Sequence, residues 1–353
     1  MSATSAARSN PAAVLSGVGG RLPLRKVGND ELADRLDTDD IWIRTRTGIR
    51  SRHLAASEEA TSDLAVEAGR RALANSGADT ADAVIVATTT PDRTCPATAP
   101  LVASRLGLTG AAAFDVGAVC TGFVYALAAG AGLITSRVVT SVMVIGADVY
   151  SRIVDPEDRQ NAVVFGDGAG AVVLRAGHAS EAGAIGPFDL GSDGAHEDMI
   201  TVAAGGSRQS ADPRQTSRAE RHFAMRGKEV YRHAVTRMVG SARTVLDRAG
   251  LGIADVDRFV PHQANLRILR TVADDLGLPV DRCATHVETA GNTGAASIPL
   301  ALADSHAKRA LRPGDRVLLT AFGGGLTWGS CLLTWPALPP VAEPSHHGEE
   351  STP

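Results

Sequence analysis

Four cysteines and ten histidines are the obvious candidates for chemistry in this chain of 353 residues, and few of them stand where chemistry is favoured. Cys120 follows the apolar segment 111–116 and precedes the small, apolar run 121–136, which puts it at a strand-to-helix junction. A thiol there feels the positive end of the helix dipole, which favours thiolate and raises the reactive fraction. The alternative for this residue type is an inert, buried thiol. His262, in Val-Pro-His-Gln-Ala-Asn, ends a buried strand and precedes a helix, the place from which an open α/β sheet faces its ligand. Cys283 and Cys331 lie in apolar, strand-like surroundings and read as core; the other histidines lie in polar, loop-like or tail segments and are given no role. Cys120, His262 and Asn292 together form a nucleophile set for attack at an acyl carbon, with an imidazole and an amide to hold developing charge.

A papain-like hydrolase would accept the 142 residues that separate Cys120 from His262, because about 130–150 is usual there. Its cysteine, however, lies near the mature N-terminus in Cys-Gly-Ser-Cys-Trp, whereas Gly-Ala-Val and Thr-Gly-Phe flank Cys120. The glycine-rich Gly166-Asp-Gly-Ala-Gly170 resembles a dinucleotide loop, but an apolar strand follows where that site requires a helix. Gly323-Gly-Gly325 permits close backbone approach, and its N–H groups could serve an oxyanion.

The elements that must position these residues occur twice. Helix-like 61–77 leads to a strand at Ala83–Ala87, and helix-like 230–250 leads to a strand at Arg258–Pro261. A second helical stretch closes on Leu-Gly-Leu at 106–108 and again at 276–278. Val-Cys-Thr-Gly is then echoed by Gly-Asn-Thr-Gly, an offset of 172 (Cys120 to Asn292). Strands at 141–146 and 316–321, followed by glycine-rich turns and strands at 165–174 and 322–334, complete each copy. Alternating strands and helices predict α/β architecture with mostly parallel pairing. Cys120 and Asn292 are expected on equivalent turns, each before a buried helix. The halves are expected over 13–182 and 183–336, with disordered tails at 1–12 and 337–353.

Composition narrows the functional classes. Lys plus Arg total 35 and Asp plus Glu 39, a net charge of −4 that is too balanced for a general phosphate-backbone binder. Nucleic acid is therefore not an expected partner. The cysteines are widely spaced, without a zinc-ligand or disulfide pattern, which suits a reducing cytoplasm and no metal. The uncharged run 116–136 has the length of a membrane span, but its four glycines and its α/β setting predict a buried central helix instead.

From about Val14 to Trp335 the chain resembles the β-ketoacyl-acyl-carrier-protein synthase III family, condensing enzymes with the thiolase fold. The motifs are Asp-Asp-Ile-Trp-Ile-Arg-Thr-Arg-Thr-Gly-Ile-Arg at 39–50, Phe-Asp-Val-Gly-Ala-Val-Cys-Thr-Gly-Phe at 114–123 and Phe-Gly-Asp-Gly-Ala-Gly-Ala at 165–171. Pro-His-Gln-Ala-Asn-Leu-Arg at 261–267, Gly-Asn-Thr at 291–293 and Phe-Gly-Gly-Gly at 322–325 complete the set. The resemblance implies duplicated βαβαβαββ halves in a five-layer αβαβα arrangement.

It also implies roles. Cys120 would take an acyl group from acyl-CoA, with the backbone N–H groups of Cys120 and Gly324 holding the oxyanion. Malonyl-acyl carrier protein would follow, and His262 and Asn292 would donate to its thioester oxygen as loss of carbon dioxide makes an enolate. Trp42 and Arg46 match the CoA-adenine site and Arg159 a further CoA contact. Gln263, Ala264, Asn265, Leu266 and Arg267 match the carrier-protein segment, with Asn265 toward the pantetheine arm. Arg267, Arg270 and Arg232 would attract an acidic carrier, but Asp274 and Asp275 stand where several relatives have lysines. Cys95 stands where relatives often place a bulky apolar residue that reaches across a dimer to end the acyl pocket. The smaller side chain predicts a starter larger than acetyl, branched or medium-chain, for a specialised polyketide or lipid pathway. A homodimer without a resident cofactor is implied. The alternative within the fold is a starter-unit or tailoring acyltransferase that transfers the acyl group without condensation. A non-catalytic scaffold would be expected only if the nucleophile were missing.

Overall fold

Two β-sheets of one design organise the chain in the computed structural model, which describes residues 11–340. In the first, β1 (Pro11–Arg21) lies antiparallel to β5 (Gly168–His178), and β5 antiparallel to β4 (Ser141–Asp148). Next to β4 come β2 (Ala83–Ala87) and the edge strand β3 (Ala112–Val116), both parallel to their neighbours. The second sheet repeats order and sense with β6 (Ile185–Ser192), β9 (Thr327–Thr334), β8 (Arg316–Gly323) and β7 (Arg258–Pro261). A single parallel bridge between Phe259 and Cys283 stands where the first sheet has β3. All five residues of β2, Ala-Val-Ile-Val-Ala, are buried, as expected of a strand covered on both faces.

Helices supply the covering layers. α1 (Asp40–Thr47) packs outside the sheets, α2 (Thr61–Ser76) and α3 (Ala99–Arg105) cover the outer face of the first, and α4 (Gly122–Thr135) lies between the two. α5 (Gly227–Ala249) and α6 (Leu266–Leu276) cover the outer face of the second, while α7 (Ser297–Ala307) joins α4 in the middle. α4 is apolar nearly all round because both sheets press on it, through Phe123, Val124 and Leu127. The layers are α/β/α/β/α, the thiolase fold that the resemblance implied. No helix among the described residues is long and apolar enough to cross a membrane.

The duplication holds, but with a different register at the Cys120 turn. The one-turn helix Val119–Thr121 before α4 is matched by Gly294–Ala296 before α7, an offset of 175 (119 to 294). The structural counterpart of Cys120 is therefore Ala295, and Asn292 lies three residues ahead of it. The shared Thr-Gly dipeptide matched by composition, whereas the sheets fix where each central helix starts.

Both chain ends also differ from expectation within the described residues. β1 starts at Pro11, paired with His178, so Pro11 and Ala12 belong to the sheet and not to a tail. At the other end Leu338 packs on the central core, and the Pro339 carbonyl accepts from Asn75 Nδ2 and pairs with His306 Nε2, each at 2.8 Å. Buried side-chain donors hold 337–340, which composition alone could not reveal. Positions 1–10 and 341–353 lie outside the described residues.

Candidate active site

Cys120 lies on the one-turn helix that starts α4, and Val119 just before it has φ of +46°, a costly conformation for a β-branched residue. The turn is held from the second half. A Cβ on Gly323, at the end of β8, would lie 2.8 Å from the Cys120 backbone nitrogen, so only glycine lets the strand end close on the nucleophile. Gly324 follows it at the same strand end, next to Ile200. Burial pushes the Cys120 thiol up to about 12; the neighbouring Asp148 carboxylate adds to this, and a contact from the Tyr150 hydroxyl, 3.9 Å from Sγ, opposes it. The sequence placed the cysteine correctly at a helix start but could not register the burial that works against the helix dipole.

His262 directly follows β7, its backbone N–H bonded to the Thr320 carbonyl on β8 at 2.8 Å. Its Nδ1 lies 2.7 Å from Ser297 Oγ, the first residue of α7. The Gln263 N–H donates to the same Oγ at 3.3 Å, and His262 Nδ1 is the acceptor available to the serine proton. The hydrogen-bond network thus assigns the imidazole proton to Nε2. Burial pushes the imidazole down to about 3, so it is neutral at physiological pH and Nε2–H is a donor without charge.

Asn292 is placed by backbone bonds on both sides: its N–H donates to Val164 O at 2.9 Å, and its carbonyl accepts from Gly166 N–H at 3.0 Å. Its Oδ1 accepts the Gly294 N–H at 3.0 Å, which leaves the Nδ2 hydrogens as the free end. A cavity of about 1080 Å³ has Cys120, His262 and Asn292 on its wall. Two uncharged donors and a thiol meet there, the set needed for an acyl group and an oxyanion.

The same cavity runs outward to Trp42, Arg46 and Arg159. The Arg46 and Arg159 guanidinium carbons lie 4.5 and 4.4 Å from the Trp42 ring centroid. α1 carries the indole; Asp39 caps it through a 2.7 Å bond from the Trp42 N–H, and the left-handed Gly48, φ +77°, ends it against Leu266. Ala264, Asn265 and Arg267 line the same cavity. Asn265 caps α6, its Oδ1 accepting the Ile268 N–H at 2.9 Å.

One member of the expected carrier-protein segment has its side chain turned inward. Gln263 is buried, its amide bonded to the carbonyls of Pro261 and Ala284 and to the N–H groups of His286 and Val287. It ties β7 to the segment ahead of Asn292. Leu266 is half-buried in a small apolar cluster with Ile49, Leu269 and Val287. A glutamine between two site residues reads as a contact in sequence, and its internal bonds appear only in the fold. Arg267 is exposed, stacked over Tyr231 at 4.9 Å.

A second cavity, of about 1000 Å³, lies on the other side of the nucleophile turn, bounded by Ala118, Val119, Gly324 and Thr327 and sharing Ile200 and Phe223 with the first. Thr94 and Asp92 line it, but Cys95 lines neither cavity and is exposed. Cys331 is core as expected, whereas Cys283 is only partly buried. Sequence reading missed Ser297, Asp148 and Tyr150; the faint signal for the last two was their place at the end of a buried strand, beside the Cys120 turn.

Fold and site together define a thiolase-fold acyltransferase. Residues 114–194 match the family described as 3-oxoacyl-[acyl-carrier-protein] synthase III, and residues 246–335 match the C-terminal part of the same family. The chain is 58% identical to β-ketoacyl-[acyl-carrier-protein] synthase III 3 of Streptomyces coelicolor, over 94% of this chain and 99% of that one. The crystal structure of 3-oxoacyl-(acyl carrier protein) synthase III from Pseudomonas aeruginosa superposes with a TM-score of 0.87 at 50% identity, covering 93% of this chain and 100% of that one. A priming β-ketosynthase from a polyketide biosynthetic pathway gives 0.87 at 36% identity, over 94% and 98%. The chain belongs to the β-ketoacyl-[acyl-carrier-protein] synthase III family.

Proposed function

We propose that this enzyme condenses an acyl-CoA starter with malonyl-acyl carrier protein, releasing CoA and carbon dioxide and giving a β-ketoacyl-acyl carrier protein. The observation that carries this reading is the single cavity linking Trp42, Arg46 and Arg159 at its mouth to Cys120, His262 and Asn292 at its base. Indole and guanidinium groups suit an adenine and its phosphates. Cys120 Sγ attacks the thioester carbonyl and CoA leaves, with the N–H groups of Cys120 and Gly324 holding the oxyanion. The malonyl thioester then takes the place of CoA. His262 Nε2–H and Asn292 Nδ2 donate to its carbonyl oxygen as decarboxylation makes the enolate that attacks the acyl-cysteine. Each donor aimed at such charge is worth about 2.7–4 kcal/mol. Arg267, exposed at the cavity mouth, is the docking contact for the acidic carrier protein.

The functional unit in this reading is a homodimer joined along β3. Phe114 on that strand is 37% exposed and Leu101 on α3 is 45% exposed, apolar surface beside an unpaired strand edge. Cys95, exposed in its own protomer, would face the partner's acyl pocket and leave room for a starter larger than acetyl. Four unpaired cysteines fit a reducing cytoplasm. Intact-mass measurement after incubation with a mixture of acyl-CoAs tests the reading. An acyl adduct on wild type that disappears in Cys120→Ala is expected, and its mass identifies the starter. Retention of the adduct in that variant would remove Cys120 from the mechanism.

A further inference from the structure

Tyr150 has no part in the mechanism above, yet its surroundings are built around it. It follows the end of β4, is fully buried, and stacks on Phe165 with ring centroids 4.5 Å apart and planes 13° from parallel. Phe223 meets it edge-on at 5.6 Å, and Gly294, at φ +56°, leaves the space its ring occupies: a Cβ there would strike Tyr150 Cε2. Among the described residues, its hydroxyl is the one side-chain group within hydrogen-bonding distance of Cys120 Sγ, at 3.9 Å. The Thr89 hydroxyl is a second neighbour of the phenol, so the geometry offers the Tyr150 proton Sγ or the threonine oxygen.

An apolar stack could be made by phenylalanine, so the hydroxyl calls for its own explanation. During acyl transfer the sulfur develops negative charge in a site that already holds the Asp148 carboxylate, a group that opposes that charge. We propose that Tyr150 is a further catalytic residue, whose hydroxyl donates a hydrogen bond to Cys120 Sγ and stabilises the sulfur as it attacks the acyl thioester. The new bond joins Sγ to the carbonyl carbon, the carbon–sulfur bond to CoA breaks, and the thiol proton ends on the departing CoA sulfur. The phenol proton stays on Tyr150 throughout. The rings of Phe165 and Phe223 hold the donor in place.

The proposal rests on Cys120 as the nucleophile, and alkylation by iodoacetamide, with the modified residue identified by mass, separates the two ideas because it needs neither CoA nor carrier protein. A hydrogen bond to thiolate worth about tenfold in its population, offset by about threefold in intrinsic nucleophilicity, predicts about threefold slower alkylation of Tyr150→Phe from pH 7 to 9. The acylation burst from acyl-CoA slows with it. Three tyrosines in the chain make global replacement by 3-fluorotyrosine practical; the more acidic phenol is a better donor and should speed alkylation of Cys120. Opposite shifts in the two proteins support the proposal, and superimposable rate–pH profiles in either overturn it. If Cys120 itself escapes modification, the nucleophile assignment fails instead.

Discussion

At the scale of single residues, the proposed mechanism relies on neutral donors. Burial holds His262 far below the usual imidazole range, down to about 3, so it contributes a directed N–H and no positive charge. That direction depends on Ser297, whose hydroxyl occupies Nδ1. In Ser297→Ala the tautomer is no longer fixed and part of the population presents a bare Nε2 lone pair to the enolate. Condensation should slow about tenfold, the rate equivalent of one hydrogen bond, with acylation of Cys120 unchanged. Single-turnover rates of the two half-reactions measure the contrast, and equal slowing of both would point to a general structural defect. In wild type, condensation should show no inflection near pH 6.5 that disappears with His262, because the folded imidazole stays neutral above about pH 3.

Between elements, Asp148 at the end of β4 joins the two halves. Its Oδ1 accepts the Thr89 N–H at 2.6 Å and its Oδ2 the Ala295 N–H at 2.7 Å, so one carboxylate joins the loop after β2 to the turn before α7. Burial nevertheless pushes this carboxyl up to about 7. A carboxyl that is more basic folded than unfolded contributes stability that is full below its unfolded pKa and is lost as pH rises through the folded value. Asp148→Asn keeps the shape but sets an NH2 against one of the two N–H donors, at a cost of about 1–3 kcal/mol. The deficit relative to wild type should be largest near pH 5 and smaller at pH 8. Urea unfolding at both pH values measures it, and a deficit that grows with pH would contradict the assigned protonation.

For the whole molecule, the exposed edge of β3 is the feature that most needs a partner. Neighbouring strands bury their backbone polar groups, and a sheet edge flanked by Phe114 and Leu101 invites a second copy. In the proposed dimer, Phe114→Glu would set two like charges against each other across the two-fold axis and should leave the chain monomeric. Sedimentation velocity reads this directly; a wild type that sediments as a monomer at micromolar concentration would refute the assembly. The candidate site itself lies between the two halves of the chain: Cys120 comes from the first, His262 and Asn292 from the second.

Local signals carried much of this. The strands Ala83–Ala87 and Arg258–Pro261 were legible because short apolar runs between turn residues have few other uses, and the nucleophile because a cysteine between a strand and an apolar helix is an uncommon setting. The repeat exposed the two-sheet plan. What the sequence could not set was anything depending on contacts between distant segments. The 175-residue register, which pairs Cys120 with Ala295, follows from helix starts fixed by sheet geometry. Gln263 turned inward because four internal hydrogen bonds claim its amide, and the thiol of Cys120 rose because tertiary burial outweighs a local dipole. Residue type and spacing were enough to single out the groups proposed to do the chemistry. Packing decided their protonation, their tautomer and which of their neighbours a partner can reach, since those depend on dielectric and geometry that exist only once the halves are closed on each other.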